Sequence, residues 1–251
     1  MLPVERRKEI TQMLLTNKKV LVSELVGHFN VSDETIRRDL DQIAQDGIAE
    51  KIYGGATLND KGPELPFKIR QSNNPTQKQH IANIISPLVK DGDSIILDAS
   101  STAVFVAKAL KDKKRLKIIT NALEVMLEVS DMPGWDVICT GGQLAGNYLA
   151  LHGQRTMHDI AGICADVLIF SCKGLDIAHG VLESNDAFAQ VKKEMIKAAK
   201  TKILAADYSK FDCYAFAKTE NFCDIDILAT NTMPEKRWVQ HLKKNGVKVM
   251  V

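Results

Sequence analysis

The chain has 251 residues, of which 45% are apolar and 25% are charged, and its formal net charge is +2. This composition excludes an intrinsically disordered chain, and the length suits one large domain or two modest ones. No apolar stretch approaches the roughly 18 residues of a membrane-spanning helix, and the charged residues of MLPVERRKEI stand where a signal peptide would be apolar. We therefore expect a cytoplasmic protein that does not associate with a membrane.

The cysteines predict reduced thiols rather than a disulfide framework, because their number is odd and no CxxC pair occurs. Cysteine and histidine are not clustered at zinc-binding spacing, and no GxGxxG follows a predicted strand. We therefore expect neither a metal nor a cofactor. The cysteines are Cys139, Cys164, Cys172, Cys213 and Cys223.

The sequence pattern of residues 1–58 predicts a separate domain that begins with two helices. Pro3 suits the first turn of a helix, and apolar residues follow it at helical spacing. A polar break then precedes a short predicted strand over residues 20–22, and Ser23 is a suitable N-cap for a second helix. The apolar stripe of the first helix consists of Ile10, Met13 and Leu14.

A third helix, over residues 32–45, is the candidate DNA reader. Ser32 is its predicted N-cap, and Ile36, Leu40 and Ile43 fall on one face at i, i+4 and i+7. The opposite face carries hydrogen-bonding groups, and an α-helix fits the major groove of DNA. The candidate DNA contacts are Ser32, Thr35, Arg37 and Arg38 on this helix and Lys51 and Tyr53 on the hairpin that follows it.

The hairpin is predicted from strands over residues 48–53 and 56–58, joined by a tight turn at Gly54-Gly55. This order of elements, two helices, a turn, a third helix and a hairpin, is that of a winged helix-turn-helix. Charge alone supports DNA binding poorly, because residues 1–57 hold eight Lys/Arg and nine Asp/Glu. The spacing of Glu34–Arg38 and Arg37–Asp41 also predicts i,i+4 ion pairs, which would stabilise any exposed helix.

The segment VLVSELVGHFNVSDETIRRDLDQIAQDGIAEKIYGGATL resembles the winged helix-turn-helix of DeoR-type bacterial transcriptional regulators. The match is carried by Val31-Ser32, TIRRDL, Gly47 and the Gly-Gly-Ala of the hairpin. The resemblance implies a helix-turn-helix over residues 20–39, with Lys51 as the basic residue that the family places before the double glycine. Tyr53 stands where such proteins often carry histidine.

Residues 59–75 predict an interdomain linker, because four proline and glycine residues interrupt any periodicity there. From residue 76 onward, short apolar runs alternate with amphipathic segments. This alternation predicts a mainly parallel, Rossmann-like α/β domain over residues 76–251. The predicted strands are residues 94–98, 117–120, 136–140, 166–171, 202–207, 226–230 and 247–251, and the clearest later helices are residues 186–200 and 235–245.

Small or polar residues follow five of these strands, at the edge where open parallel sheets bind ligands. A Ser/Thr run before a helix is often only an N-cap, and a double glycine is often only a turn. Such groups on one rim nevertheless favour a site for a phosphorylated polyol, because helix N-termini and lysines attract phosphate. The candidate effector-binding residues are Asp98, Ser100, Ser101, Thr102, Thr120, Asn121, Gly141, Gly142, Lys173, Asp207, Ser209 and Lys210.

The segments DGDSIILDASST, ITNA, TGGQL, HGVLESNDAFAQVKKEMIKAA and ADYSKF resemble the C-terminal sensor domain of DeoR-type regulators, whose fold is similar to that of ribose-5-phosphate isomerase. The match covers residues 77–251, so the two resemblances together span nearly the whole chain. They imply a sugar phosphate or a related sugar metabolite as effector. Ser101, Lys173 and Tyr208 depart from the family pattern within the predicted pocket.

A sugar-phosphate isomerase-like enzyme is the alternative function. Its acid/base candidates are Asp176, Glu183 and Asp186, with His179 as a helper, although each also fits a solvated loop residue. A redox sensor that binds a dinucleotide is disfavoured by the missing glycine motif, and an enzyme gives no reason for a winged helix. We therefore expect a transcriptional regulator without catalytic residues, most simply a repressor. Its expected partners are double-stranded operator DNA, a phosphorylated sugar and further copies of itself in a dimer or tetramer.

Overall fold

The structure is a computed structural model that describes residues 1–59 and 65–251. The chain divides into two compact units, Met1–Leu65 and Pro66–Val251. Part of the segment predicted as a linker, residues 60–64, lies outside the described residues. Another part of it is the helix Phe67–Ser72, whose Phe67 side chain is buried in the second unit. No helix among the described residues is long and apolar enough to cross a membrane.

The first unit is a winged helix-turn-helix, as predicted. Its three strands form an antiparallel sheet in which the third strand in chain order lies between the other two. Apolar residues from all three α-helices form its core, including Ile10, Leu25 and Ile36. Ser32 caps the third helix, because its hydroxyl oxygen accepts the Thr35 amide. In chain order the elements are α1 (Pro3–Asn17), β1 (Lys19–Leu21), α2 (Val22–Phe29), α3 (Asp33–Gln45), β2 (Ala49–Ile52) and β3 (Gly55–Leu58).

Two local predictions in this unit were wrong. Helix α2 begins at Val22, so Ser23 is its second residue and Leu21 occupies the N-cap position. The hairpin turn is formed by Tyr53 and Gly54, whereas Gly55 is already part of β3. A Cβ atom at Gly55 would lie 2.1 Å from the carbonyl oxygen of Val20, so β1 can pair with β3 only because this residue is glycine.

The elements of the second unit are α4 (Phe67–Ser72), α5 (Pro75–Ile85), β4 (Ser94–Leu97), α6 (Ser101–Ala109), β5 (Lys117–Thr120), α7 (Leu123–Val129), β6 (Asp136–Cys139), β7 (Gln143–Ala145), β8 (Ala150–His152), α8 (Gln154–Ala161), β9 (Ala165–Phe170), β10 (Gly174–Asp176), β11 (Gly180–Glu183), α9 (Asp186–Lys197), β12 (Ala199–Ala205), β13 (Ala217–Glu220), β14 (Ile227–Ala229), α10 (Lys236–Lys244) and β15 (Lys248–Met250). Seven of these strands form a parallel sheet in the order β15-β14-β12-β9-β4-β5-β6, which confirms the predicted α/β class.

Both faces of the parallel sheet are buried, which explains the continuous apolar runs of its strands. Ile95 and Leu97 of β4 belong to the core under α5, α6 and α7, whereas Ile96 belongs to the core under α9 and α10. Helix α9 ends at Lys197 rather than at residue 200, because Ala199 already pairs with Ala165 in the sheet. Short antiparallel pieces, β7-β8 and β10-β11-β13, were not predicted, since three or four residues are too few to show periodicity.

Candidate DNA-binding surface and effector site

The outward face of α3 presents its predicted contact residues to solvent. The side chains of Arg37 and Arg38 are 57% and 77% exposed. Ser32 and Thr35 lie beside them at the start of the helix, with their hydroxyl oxygens 2.8 Å apart. The first two turns of α3 therefore carry hydroxyl groups and exposed guanidinium groups, which is the chemistry that contacts phosphates and base edges.

The hairpin stands next to this helix face. Tyr53, at the turn, is fully exposed. The pKa of Arg37 is raised mainly by its hydrogen bond to Asp33 and by the charge of Asp33, and Tyr53 adds a smaller contribution. Lys51 forms an ion pair with Asp41 of α3. The sequence pattern paired Arg37 with Asp41, whereas in the structure Arg37 Nε donates to Asp33 Oδ2 at 2.7 Å. The predicted pair of Glu34 and Arg38 does form.

These ion pairs leave the two arginines available to other anions. Both arginines pair with acids one helical turn away, and all four side chains are more than half exposed. Exposed i,i+4 pairs contribute only about 0.3–0.5 kcal/mol. A DNA phosphate can therefore replace the carboxylate at little cost.

A buried acid that the sequence analysis did not single out anchors α3. Asp39 is 3% exposed and accepts a hydrogen bond of 2.5 Å from Nε of Arg6, with Arg7 Nη1 at 3.4 Å. Both arginines belong to α1. Asp39 follows Ile36 by three residues and precedes Ile43 by four, so the helical period already places it on the buried face. A buried carboxylate needs a cation partner, and this pair ties the recognition helix to α1.

In the second unit, the carboxyl ends of the parallel strands share one edge. The chain order reverses between β4 and β9, which makes their junction the topological switch point where such sheets bind ligands. Asp98 follows β4 and Ser171 follows β9, and Asp98 Oδ2 accepts the Ser171 amide at 3.1 Å across the junction. Asp98 Oδ1 accepts the Ser100 amide at 3.2 Å.

A buried lysine, Lys192 of α9, neutralises Asp98. Its Nζ lies 3.2 Å from Asp98 Oδ2, contacts Glu183 Oε2 and donates to the Ser171 carbonyl oxygen at 2.6 Å. Burial alone would lower the pKa of Lys192, but the charges of Glu183 and Asp98 outweigh it and raise the pKa above its ordinary value. Glu183 was expected to be a solvated loop residue, yet it lies buried in β11 because Lys192 compensates its charge.

A second buried lysine, Lys78 of α5, lies beside the N-terminus of α6. Its Nζ and the Ser101 hydroxyl donate to the same acceptor, the carbonyl oxygen of Arg70. Burial lowers the pKa of Lys78 to about 8; Asp207 opposes this shift, whereas Lys210 and Arg70 add to it. We call Lys78, Ser101, Asp207 and Lys210 the Lys78 cluster. Lys78 is 5% exposed and was missed in the sequence analysis.

The rest of the loop after β12 is organised around Asp207. Its Oδ1 accepts from the Ser209 hydroxyl at 2.5 Å and from the Asn74 side-chain amide at 3.3 Å. Cys172 follows β9, and its thiol is buried. Burial raises its pKa to about 12, while Lys210 and Lys192 both act to lower it.

The ends of β5 and β6 contribute buried polar groups. Thr120 is used internally, because its hydroxyl donates to the Leu97 carbonyl oxygen at 2.8 Å and accepts the Ala122 amide at 3.0 Å. Asn121 donates to the Leu151 carbonyl oxygen at 2.8 Å. Asn121 Oδ1 and Thr140 Oγ1 are buried without a hydrogen-bond partner among the described residues. A buried polar atom of this kind costs stability unless a ligand or water satisfies it.

Other predicted effector residues have local structural roles. Ser100 is the N-cap of α6, since its hydroxyl oxygen accepts the Ala103 amide at 3.0 Å, and Thr102 is buried in the same turn. Gly141 and Gly142 pack against α8; a Cβ atom at Gly142 would lie 2.1 Å from Thr156 Oγ1. Lys173 lies half-buried in the loop between β9 and β10, where its amide donates to the Leu182 carbonyl oxygen at 2.9 Å.

The isomerase candidates other than Glu183 have local hydrogen-bond partners. Asp176 and His179 form an exposed pair of 2.7 Å in the turn between β10 and β11. Asp186, in the first turn of α9, accepts from Gln190 at 3.1 Å. Among the predicted effector residues, Ser101, Asp207 and Lys210 are thus brought together, whereas Gly141 and Gly142 belong to the packing of α8.

Comparison with known proteins agrees with this division of the chain. Residues 6–62 match the DeoR-like helix-turn-helix domain, and residues 73–232 match the DeoR C terminal sensor domain. The HTH-type transcriptional regulator YulB of Bacillus subtilis (strain 168) is 35% identical over 250 residues, which are 99% of this chain and 96% of YulB. The glycerol-3-phosphate regulon repressor of Escherichia coli (strain K12) is 26% identical, with 98% of this chain and 97% of the repressor covered.

Among solved structures, the fold of ribose 5-phosphate isomerase A of Methanocaldococcus jannaschii is similar over 55% of this chain and 55% of the isomerase chain, with 16% sequence identity and a TM-score of 0.41. The fold assignment therefore rests on the observed strand order and on the two family matches.

Proposed function

The chain belongs to the DeoR family of transcriptional regulators, and we propose that it represses a sugar-catabolism or sugar-uptake operon under the control of a phosphorylated sugar. The winged helix-turn-helix binds DNA and the second unit is the sensor. The observation that carries the choice of effector is the Lys78 cluster, in which a buried lysine, a second lysine and the N-terminus of α6 converge at the strand ends.

The DNA contacts that we propose are Ser32, Thr35, Arg37 and Arg38 on α3 and Lys51 and Tyr53 on the hairpin. The exposure of the two arginines, Lys51 and Tyr53 supports this set, as does the ion pair that joins Lys51 of the hairpin to Asp41 of α3. In this arrangement α3 enters the major groove, while the hairpin contacts the backbone or the minor groove. Binding through phosphates releases counterions, so the operator affinity should fall steeply as the salt concentration rises.

The effector contacts that we propose are centred on Lys78, Ser101 and Lys210. A phosphate there would meet two ammonium groups and the positive end of the α6 dipole. The sugar hydroxyls would satisfy Asn121 Oδ1 and Thr140 Oγ1, which lack partners within the described part of the chain. The name of the Escherichia coli relative, a glycerol-3-phosphate regulon repressor, supports a phosphorylated polyol as the class of ligand.

We further propose that the sensor binds its ligand without chemical turnover. Glu183 is the buried acid among the isomerase candidates, and its carboxylate is already occupied by Lys192 and by the amide and hydroxyl of Ser184. We also propose a dimer or tetramer, since paired recognition helices match spaced operator half-sites. A protein that binds chromosomal DNA in a bacterium acts in the cytoplasm, where we place it.

The proposal is tested by fluorescence anisotropy with labelled promoter fragments from the protein's own genome. We expect tight, salt-dependent binding to one fragment and its loss on addition of one member of a phosphorylated-sugar panel. The unphosphorylated form of the same sugar should have no effect. If no fragment binds, with or without the panel, the regulatory function is wrong; if the unphosphorylated sugar acts equally well, the phosphate assignment is wrong.

A further inference from the structure

Helix α4 is held in place by donors of the Lys78 cluster. Lys78 Nζ donates to the carbonyl oxygens of Arg70 and Asn73, and the Ser101 hydroxyl donates to that of Arg70 at 3.3 Å. These carbonyls belong to the last turn of α4 and to its C-cap, Asn73. Carbonyls at the C-terminus of a helix have no partner within the helix, so these donors satisfy groups that would otherwise be unpaired.

The opposite end of α4 is attached to a different part of the sensor. The Phe67 amide donates to the Asn147 carbonyl oxygen at 2.9 Å, and the Phe67 side chain is buried. The Arg70 guanidinium lies 5.4 Å from the centres of the Phe67 and Tyr148 rings. These contacts do not involve the Lys78 cluster. A change at the cluster would therefore act on the C-terminal turn of α4 and leave its first residue attached.

A phosphate at the cluster competes for the same donors. The Ser101 hydroxyl forms a charge-assisted bond to a phosphate that is roughly twice as strong as its bond to a neutral carbonyl. The Lys78 ammonium gains the attraction of an opposite charge, which a carbonyl oxygen does not supply. Lys78 is a buried cation, and the negative charge of Asp207 acts on it. Because α4 is the first helix of the second unit in chain order, this competition acts where the chain enters the sensor from the DNA-binding unit.

We propose that α4 is a latch: the effector's phosphate draws Lys78 and Ser101 away from the Arg70 and Asn73 carbonyls and frees the C-terminal turn of α4. This inference rests on the proposed phosphorylated effector and adds the route by which binding alters DNA affinity. The latched, effector-free form binds the operator, and the released form binds it weakly. Only a ligand that engages these donors can release the latch, which makes the phosphate, rather than the sugar ring, the trigger.

Hydrogen exchange of the full chain, followed by mass spectrometry, tests the latch. Peptides that cover residues 67–74 contain the Asn73 amide, which donates to Ile69 across the last turn of α4. Saturating glycerol 3-phosphate or inorganic phosphate should speed their exchange, whereas ligand binding ordinarily slows it. Peptides from α9 should be unaffected. Slower or unchanged exchange over residues 67–74 in a protein whose Tm rises with phosphate overturns the latch and leaves the proposed function intact.

A variant tests the latch without any ligand. Ser101→Ala removes one donor to the Arg70 carbonyl and should speed hydrogen exchange over residues 67–74 by about two- to tenfold. This factor corresponds to the net contribution of one hydrogen bond to stability. Operator affinity should fall by a similar factor. Ser130→Ala is the matched control, because the Ser130 hydroxyl donates to the Leu127 carbonyl at 3.0 Å at the end of α7. If Ser101→Ala behaves like Ser130→Ala in both hydrogen exchange and operator affinity, the latch is wrong. If the unaltered chain does not bind the operator, the proposed function is wrong instead.

Discussion

Replacing Lys192 by methionine should destabilise the sensor unit severely. Methionine has a similar length but no charge, so Asp98 and Glu183 would remain as carboxylates without their cation. Their side chains are only 1% and 9% exposed, and that of Lys192 is 10% exposed. Removing one partner of a buried ion pair costs about 3–5 kcal/mol. Because the pKa of Lys192 is raised, the lysine is fully charged below its ordinary pKa, and its whole contribution is present at pH 7.

The loss can be measured by urea unfolding monitored through tryptophan fluorescence. Both tryptophans, Trp135 and Trp238, belong to the second unit, so the signal reports on that unit alone. Lys197→Met is the matched control on the same helix, since Lys197 is 69% exposed and pairs with Glu194 at 2.8 Å. Such exposed pairs contribute about 0.2–1 kcal/mol.

The added substitution Glu183→Gln should restore part of the stability, because it removes one of the uncompensated charges. A loss for Lys192→Met no larger than that for Lys197→Met would refute the assignment of a buried, charge-compensating lysine. So would a double variant that is less stable than the single one.

The remaining predictions concern DNA binding and the effector. Arg38→Ala should weaken operator binding by about 1–3 kcal/mol in anisotropy titrations and leave effector binding intact. The control is Arg155→Ala, which removes another exposed arginine in an i,i+4 pair and should change neither affinity. Equal operator affinities of the two variants would exclude Arg38 as a residue that contacts a base. Asp39→Ala leaves Arg6 buried without its acid and should cost the first unit about 3–5 kcal/mol in thermal unfolding followed by circular dichroism, so an unchanged transition would contradict the anchoring role. Lys210→Ala should abolish effector-induced release while operator binding survives, and a normal response would rule out its phosphate contact. Because the pKa of Lys78 is lowered to about 8, Lys78 loses its charge as the pH rises through that value, and the effector affinity measured by calorimetry should fall between about pH 7 and 9. The Lys78→Met variant should not show this pH dependence. If it does, another group is responsible.

The recognition helix could be predicted in detail because its signals are local. Ser32 as N-cap and the buried face of Ile36, Leu40 and Ile43 depend on spacings within one helix, and all four were confirmed. The ion pairs were less predictable. Arg37 has an acid one turn away on either side and pairs with Asp33, which has the more favourable order for an i,i+4 pair. The spacing within α3 gives no sign that Asp41 pairs with Lys51 of the hairpin.

The candidate effector site was predicted only at the strand ends. Asp207 and Lys210 follow an apolar run directly, so their place at the rim follows from the strand. Lys78 lies far earlier in the sequence, on a helix whose packing against α6 brings it to Ser101. No pattern within α5 marks this lysine as a site residue, because a lysine on an amphipathic helix is ordinarily a solvated one.

By itself, the sequence determined the two units, the order of helices and strands, and the rim at which polar side chains gather, because periodicity and turn chemistry act over a few neighbouring residues. Only the tertiary structure decided which charges are compensated. Asp39 with Arg6, and Lys192 with Asp98 and Glu183, are pairs between separate elements. A buried charge requires a partner of opposite charge, but which residue becomes the partner depends on how distant elements pack against each other. That packing involves the whole core and cannot be predicted from a few neighbouring residues.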